Sequence, residues 1–298
     1  MVEAALSRTA AQLSAWDAAS SISRFNRATP LSRHALEPQF AQALACALRW
    51  AALSDGVFDP TVGPLTALWA RCQRADATAP TTIRTHEVAA AQARVGWRHV
   101  KLDGATRTVV QPGGMRLDLA AVANGVAIDH VAAMLHVRQI NNFSIQLAGE
   151  FRADGHGPRN DPWEACIDVG AATPVRLGLG NLSVSTATSS WMPSPGAKAQ
   201  RGEPKIDPRT GEAPTHALTS VTVLHRECKH ADALSTLLSI LGPEDGLAFA
   251  QHRRPAAMFV CPDGAGHLAH HSDKWRKLVQ PEPASQSLTG WSATERLS

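Results

Sequence analysis

The chain has 298 residues, 44% apolar and 18% charged, which is enough to close a full core as one large domain or two small ones and excludes a disordered tail or a fibre. Twenty-nine basic residues against 26 acidic leave a formal charge of +3, too thin over this length for a dedicated binder of nucleic-acid phosphates. Cys46, Cys72, Cys166, Cys228 and Cys261 are widely spaced and form no C-x-x-C pair, which argues against a thiolate zinc site or a disulfide framework and for a reducing compartment. No uninterrupted apolar run approaches the roughly 20 residues of a bilayer crossing, and Glu3, Arg8, Asp17 and Arg24 stand where a signal peptide would carry its apolar core. The expectation is a cytoplasmic protein with no membrane span.

In chain order, residues 4–19 and 36–53 repeat Leu, Ala, Phe and Trp at helical spacing, with Pro38 suited to a first turn. The Ser- and Arg-rich segment SISRFNRATPLSR between them reads as a loop. A helix over 64–73 follows the turns Asp55-Gly56 and Asp59-Pro60, and a short one covers 85–94. HVKLD and TRTVVQ, joined at Gly104-Ala105, predict a hairpin, and MRLDL predicts a strand running into a helix from Ala120. Short strands follow in NFSIQLAGEFRAD, WEACIDVG and 174–186, then a Pro/Gly/Ser-rich loop over 191–214. LTSVTVLHR is a strand, ADALSTLLSILG and EDGLAFAQHR are helices, and AAMFVCP is expected as the last strand before a polar tail. The sum is an α+β fold without the βαβα alternation of a doubly wound sheet. The expected boundaries are one domain over 1–275 and a tail over 276–298.

Three segments carry more constraint than a fold requires. SDGVFDPTVGPLTALW (54–69) has two acidic turns before a helix start, a pattern that turn chemistry alone also explains. RLDLAAVANGVAID (116–129) places Asp118 ahead of small residues that open a helix; free amides there attract anions such as a pyrophosphate, unless Asp118 merely caps the helix. In KHADALSTLLSILG (229–242), Asp232, Ser235 and Thr236 are three and four apart, so a helix stacks their oxygens on one face. Such a trio suits a hard cation like Mg²⁺, the alternative again being a cap at Asp232. No G-x-x-x-x-G-K-[ST], G-x-G-x-x-G, H-E-x-x-H or G-x-S-x-G motif occurs, and the thirteen His show no metal spacing.

Taken together, SRFNRATPLSR, SDGVFDPTVGPLTALW, LDLAAVANGVAID, INNFSIQLAGEF, NLSVST, KIDPRTGEAP and LTSVTVLHRECKHADALSTLLSILGPEDGLAF are collinear over about 20–260 and resemble the ApbE family, the FAD:protein FMN transferases. The resemblance implies a T-fold-like α+β domain, with mixed or antiparallel sheets and flanking helices, that binds FAD and Mg²⁺. It implies transfer of FMN to a Thr hydroxyl of a target flavoprotein through a phosphoester bond, with release of AMP. By the same resemblance, Asp118 and Asn124 contact FAD, and the backbone oxygen of Ala121 with Asp232, Ser235 and Thr236 holds the metal, Asp232 being the catalytic carboxylate. Val57, Phe58 and Asp59 line the flavin site, and Ile206 and Asp207 pack over the cofactor.

The chain departs from the family pattern at several places. Asn124 replaces a Lys, Ala120-Ala121 replaces a Gly pair, and Ala148-Gly149-Glu150 stands for Gly-Gly-Asp. Pro204 occupies the place of a His beside the flavin. Ser185-Thr186-Ala187-Thr188-Ser189-Ser190-Trp191 stands for an S-T-S-G-x-Y segment, with Trp191 a substitute stacking surface there. Compared with the family pattern, the expectation is a chain without the N-terminal strand and export signal, either a shortened cytoplasmic variant or one with a misplaced start. His216 and His230 lie close to the matched motifs as weak candidates for a base. The departures leave two further readings: a catalytically weak FAD-binding or scaffold protein, and an FAD pyrophosphatase yielding FMN and AMP.

Overall fold

A computed structural model describes residues 1–74, 83–171, 174–188, 205–264, 266–279 and 294–297, with the side chains of 72–74 and 294–297 excepted. The chain divides into two compact units, Met1–Val131 with Ser190–Pro214, and Ala132–Ser189 with Thr215–Ser298.

The first unit opens with helices α1 (Val2–Leu13), α2 (Ser21–Asn26) and, after strand β1 (Arg33–Ala35), α3 (Pro38–Leu53). The stretch expected as a loop thus contains α2. Ser20 starts it by accepting the amide of Ser23 on its side chain at 3.2 Å, and Ile22 and Phe25 bury its inner face. Phe25 meets Phe40 of α3 edge to face with ring centres 6.4 Å apart. Helices α4 (Gly63–Arg74) and α5 (Thr85–Gln92) follow, then a 3-10 turn at Trp97–His99 and strands β2 (Leu102–Asp103) and β3 (Thr108–Val110). The order β1-β3-β2 makes a small antiparallel sheet. Leu65, Leu68 and Ala91 of α4 and α5 form a separate core cluster with Ile206.

MRLDL does not become a strand. Its backbone is extended but tied by other means: the Asn26 side chain donates to the Leu117 carbonyl at 2.8 Å and accepts the Leu117 amide at 2.7 Å, while the Asp118 amide donates to the Pro60 carbonyl at 2.8 Å. An amide side chain has taken the place of a neighbouring strand. Helix α6 (Ala120–Val137) follows, with the division between the units falling after Val131. Among the described residues α6 is the one helix that length and composition would allow to cross a membrane. Val122, Val126, Ile128 and Val131 are buried in it, as in a core helix.

The second unit carries strands β4 (Phe143–Leu147), β5 (Glu150–Asp154), β6 (Trp163–Ile167), β7 (Val175–Leu179), β8 (Leu182–Thr188) and β9 (Ser220–His225). Then come α7 (Cys228–Arg253), β10 (Ala256–Asp263), β11 (Gly266–His271), α8 (Asp273–Leu278) and β12 (Thr294–Leu297). A seven-stranded antiparallel sheet runs β12-β11-β10-β9-β8-β5-β4, and β6 and β7 form a separate hairpin. AAMFVCP is therefore not the last strand. The His-rich β11 escaped notice because only its alternate positions, Ala269 and His271, are buried.

Strand alternation sorts the residues of this sheet onto two faces. Ala153, Val184, Leu224, Met258 and Val260 join the β6–β7 residues Ala165, Ile167, Leu177 and Leu179 in one core. The intervening positions, among them Val221, Val223, Ala257 and Phe259, are buried as well, and α7 packs against β8, β9 and β10. Helix α7 is two helices joined at Gly242-Pro243, matching the two expected from sequence. Gly242 has φ 81° and ψ −175°, a backbone shape close to glycine-only, and the His216 ring lies against its open side. Of the described cysteines, Cys46 and Cys228 are buried, Cys261 is half-buried and Cys166 is exposed.

Candidate functional site

In the first unit, Asp118 sits where two helices begin. Its Oδ2 accepts from Thr66 Oγ1 in the first turn of α4 at 2.9 Å, and its Oδ1 accepts from the Ala120 amide that opens α6 at 3.1 Å. The capping reading is thus half right: Asp118 caps α6 and also clasps α4. The clasp depends on Gly63, because a Cβ there would lie 2.6 Å from the Arg116 carbonyl oxygen. Ala121 and Asn124 follow in the first turns of α6, three residues apart and hence on one face. Amides at both helix starts give this corner a positive field suited to an anionic ligand.

The flavin-site candidates Val57 and Phe58 point inward and are buried, with the Phe58 amide donating to Ser54 Oγ at 3.1 Å. Asp59 is buried with both oxygens engaged. Oδ1 accepts from the Thr61 amide at 2.8 Å and Thr61 Oγ1 at 2.6 Å, and Oδ2 accepts from the Trp97 amide at 3.0 Å. Burial lifts the Asp59 carboxyl above the ordinary carboxylate range, with the Thr61 bonds pulling the other way. Asp59 therefore locks the Gly-Val-Phe-Asp turn onto the Trp97–His99 turn.

Ile206 lies in the α4/α5 core cluster, and Asp207 organises the loop that follows it. Its carboxylate takes Arg209 Nε at 3.0 Å and Nη2 at 2.8 Å, and its carbonyl accepts the Gly211 amide at 2.8 Å. The loop is pinned from outside by Trp69 Nε1 on the Gly211 carbonyl at 2.9 Å and by Gln92 Nε2 on the Arg209 carbonyl at 2.6 Å. Pro204 and Trp191, the two departures expected near the flavin, lie outside the described residues.

In the second unit, Asp232 belongs to the second turn of α7, whose N-cap is Glu227, so it is not a cap. It is 5% exposed, Ser235 is 2% exposed and Thr236 is half-buried. Ser235 Oγ donates to the Asp232 carbonyl at 2.9 Å and lies 3.0 Å from Ser185 Oγ on β8, which reaches Glu150 Oε1 on β5 at 3.5 Å. A carboxylate and two hydroxyls from one helix turn form an all-oxygen donor set of the kind Mg²⁺ takes. Among the described residues no three His, Cys, Asp or Glu side chains gather within metal-binding range. His216 turns both ring nitrogens into the interior without a hydrogen-bond partner, and His230 lies against His225 with ring centres 4.9 Å apart.

Sequence reasoning passed over Thr66, Asn26 and Thr61 as individual residues and gave Ser185 no hydrogen-bonding role, although each lies in or beside a quoted motif. Thr66, Asn26 and Ser185 are short polar side chains whose partners are distant in sequence, and no spacing rule finds such pairs.

The ApbE family model matches residues 1–260. The chain belongs to the ApbE family. A Haemophilus influenzae relative named FAD:protein FMN transferase is 30% identical over 290 residues, 94% of this chain and 82% of the relative. A Vibrio cholerae relative of the same name is 29% identical over 275 residues, covering 90% of this chain and 80% of that one. Among solved structures, the Pseudomonas stutzeri flavinyl transferase ApbE in its apo form superposes with a TM-score of 0.81 at 29% identity, over 93% of this chain and 86% of that one. The flavin transferase ApbE from Vibrio cholerae gives a TM-score of 0.82 at 26% identity, over 94% and 89%. The α+β reading with antiparallel sheets and flanking helices is the ApbE fold.

Proposed function

We propose that this chain transfers FMN from FAD to a Thr hydroxyl of a target flavoprotein, in an Mg²⁺-dependent reaction that releases AMP. Similarity along nearly the whole chain to relatives named for FMN transfer carries the reading of a flavin transferase. The metal, the Thr acceptor and the leaving group are the finer part of the proposal. They rest on residues this chain retains: Asp118, and the trio Asp232, Ser235 and Thr236.

In the proposed reaction the acceptor oxygen attacks the FMN-side phosphorus, the bond to the AMP oxygen breaks, and the hydroxyl proton is lost. Positioning and charge neutralisation dominate such a transfer. Asp232, Ser235 and Thr236 would hold Mg²⁺, which when bound neutralises charge on the pyrophosphate oxygens. Asp118 orients the FAD end that meets the openings of α4 and α6, with Thr66 fixing its carboxylate. Asn124 would present an amide to FAD where the family pattern has a cation, so phosphate charge is met here by helix amides and metal.

The test incubates the protein with FAD, Mg²⁺ and a flavoprotein acceptor and weighs the acceptor by mass spectrometry. Addition of one FMN is expected, and Asp232→Ala should abolish it while circular dichroism shows the fold retained. AMP and FMN formed without any acceptor would reassign the chain as an FAD pyrophosphatase. Metal-dependent FAD binding with no AMP would make it a binding protein, and absence of FAD binding would defeat the proposal outright.

A further inference from the structure

The trio on α7 does not stand alone in the second unit. In the sheet register Phe151 pairs with Val184 and Val184 with Leu224, all three on the face that packs toward β6 and β7. Alternation turns the neighbouring Glu150, Ser185 and Val223 to the other face, the one α7 covers. Glu150 and Ser185 are thus adjacent across two strands and lie under the helix turn that bears Ser235. Glu150 is 8% exposed and Ser185 1% exposed, so water competes little for their hydrogen bonds.

Proton counting gives this arrangement a direction. Ser185 and Ser235 each own a single hydroxyl proton. In one arrangement Ser235 donates to the Asp232 carbonyl at 2.9 Å and Ser185 donates to Ser235 at 3.0 Å. A lone pair of Ser235 is then occupied by Ser185. In the other, Ser185 donates to Glu150 Oε1 at 3.5 Å and accepts from Ser235, which leaves the lone pairs of Ser235 free to face a cation. A carboxylate can only accept, so ionised Glu150 selects the second arrangement.

We propose that Glu150, acting through Ser185, orients the hydroxyl of Ser235 and so sets the divalent-metal affinity of the Asp232–Ser235–Thr236 turn. Ser185 and Glu150 are positioning residues, one and two hydrogen bonds removed from the ligand oxygen. The inference rests on the metal reading given above and adds two residues to it. Outer partners of this kind typically change metal affinity 10- to 100-fold when removed.

The experiment titrates Mn²⁺, a paramagnetic stand-in for Mg²⁺, into the full chain with and without FAD, and reads free Mn²⁺ by electron paramagnetic resonance. Wild type, Asp232→Ala, Glu150→Gln, Ser185→Ala and the Glu150→Gln/Ser185→Ala double variant are compared, each with its thermal midpoint. Glu150→Gln keeps the volume but supplies a donor that can reverse the chain. The expected result is loss of binding in Asp232→Ala, a Kd raised about tenfold or more in each single relay variant, and no further rise in the double variant. Ser185→Ala removes only one oxygen and carries the test should Glu150→Gln fail to fold. Relay variants that bind Mn²⁺ within twofold of wild type, beside an Asp232→Ala that does not bind, would overturn this inference alone. Additive losses in the double variant would overturn it as well. Wild-type binding retained by Asp232→Ala, or no Mn²⁺ binding by wild type, would remove the metal reading on which it stands.

Discussion

Substituting Asn for Asp59 tests whether the Gly-Val-Phe-Asp turn is held by this carboxylate. In the native turn three N–H or O–H groups converge on two oxygens: the Thr61 amide and hydroxyl on Oδ1, the Trp97 amide on Oδ2. An amide has one acceptor oxygen. Its best orientation keeps that oxygen on Thr61 and sets its own NH₂ against the Trp97 N–H. That forfeits a charge-assisted bond, worth about 1.5–3 kcal/mol, and strands a buried donor at about 1–3 kcal/mol. Part of this is recovered, because a neutral amide avoids the desolvation cost that raises the carboxyl's pKa. The net expectation for Asp59→Asn is a loss of about 2 kcal/mol, measured by urea unfolding at pH 7 with fluorescence detection. Hydrogen exchange should localise the loosening to the Trp97 amide. A variant within about 0.5 kcal/mol of wild type, with the Trp97 amide equally protected, would refute the assignment.

Ala148 at φ 55° opens the two-residue turn between β4 and β5, a position that glycine occupies without strain; Ala148→Gly should stabilise the protein by about 1 kcal/mol in the same unfolding assay. Gly242→Ala should destabilise by about 3 kcal/mol, because the new Cβ takes a strained backbone and meets His216 Cγ at 2.6 Å. Adding His216→Ala should restore only the part owed to the clash, which a double-mutant cycle resolves. Burial, chiefly, together with Arg276 and His270, pushes the buried His271 down to about pKa 4, so the folded state keeps it neutral. Its contribution is complete above pH 6.5 and is lost as pH falls from there toward 4, by about 3 kcal/mol in all. His271→Phe should flatten that part of the stability profile measured by chemical unfolding.

Periodicity found the long helices because their buried faces repeat: α3 and α4 start and stop within two residues of the expected bounds. It failed where polar side chains replace backbone pairing. Ser20 capping a six-residue helix and Asn26 standing in for a strand beside Leu117 are single-residue devices, and neither generates a period. The site divides the same way. Asp118 and Asp232 were legible because each opens or occupies a helix within a recognisable motif. The Thr66–Asp118 bond and the link between Ser185 and Glu150 became visible only once α4 met the Asp118 segment and β5 met β8. The inward turn of Val57, Phe58 and Ile206 was likewise hidden, since an apolar residue in a motif reads equally well as lining or as core.

The division of the chain also constrains the order in which it can fold. The polypeptide leaves the first unit after Val131 and contributes to it again only with Ser190–Pro214, by which point strands β4 to β8 of the second have been made. Until Ile206 arrives, Leu65, Leu68 and Ala91 lack one member of their core, and Trp69 and Gln92 lack the carbonyls they bond. A ribosome emitting this chain from its N-terminus cannot release a finished first body before starting the second, so both nascent cores stay open together. A cut after Val131 parts the first unit from its Ser190–Pro214 segment, and a cut before Thr215 parts the second from Ala132–Ser189, so no single cut yields both units whole.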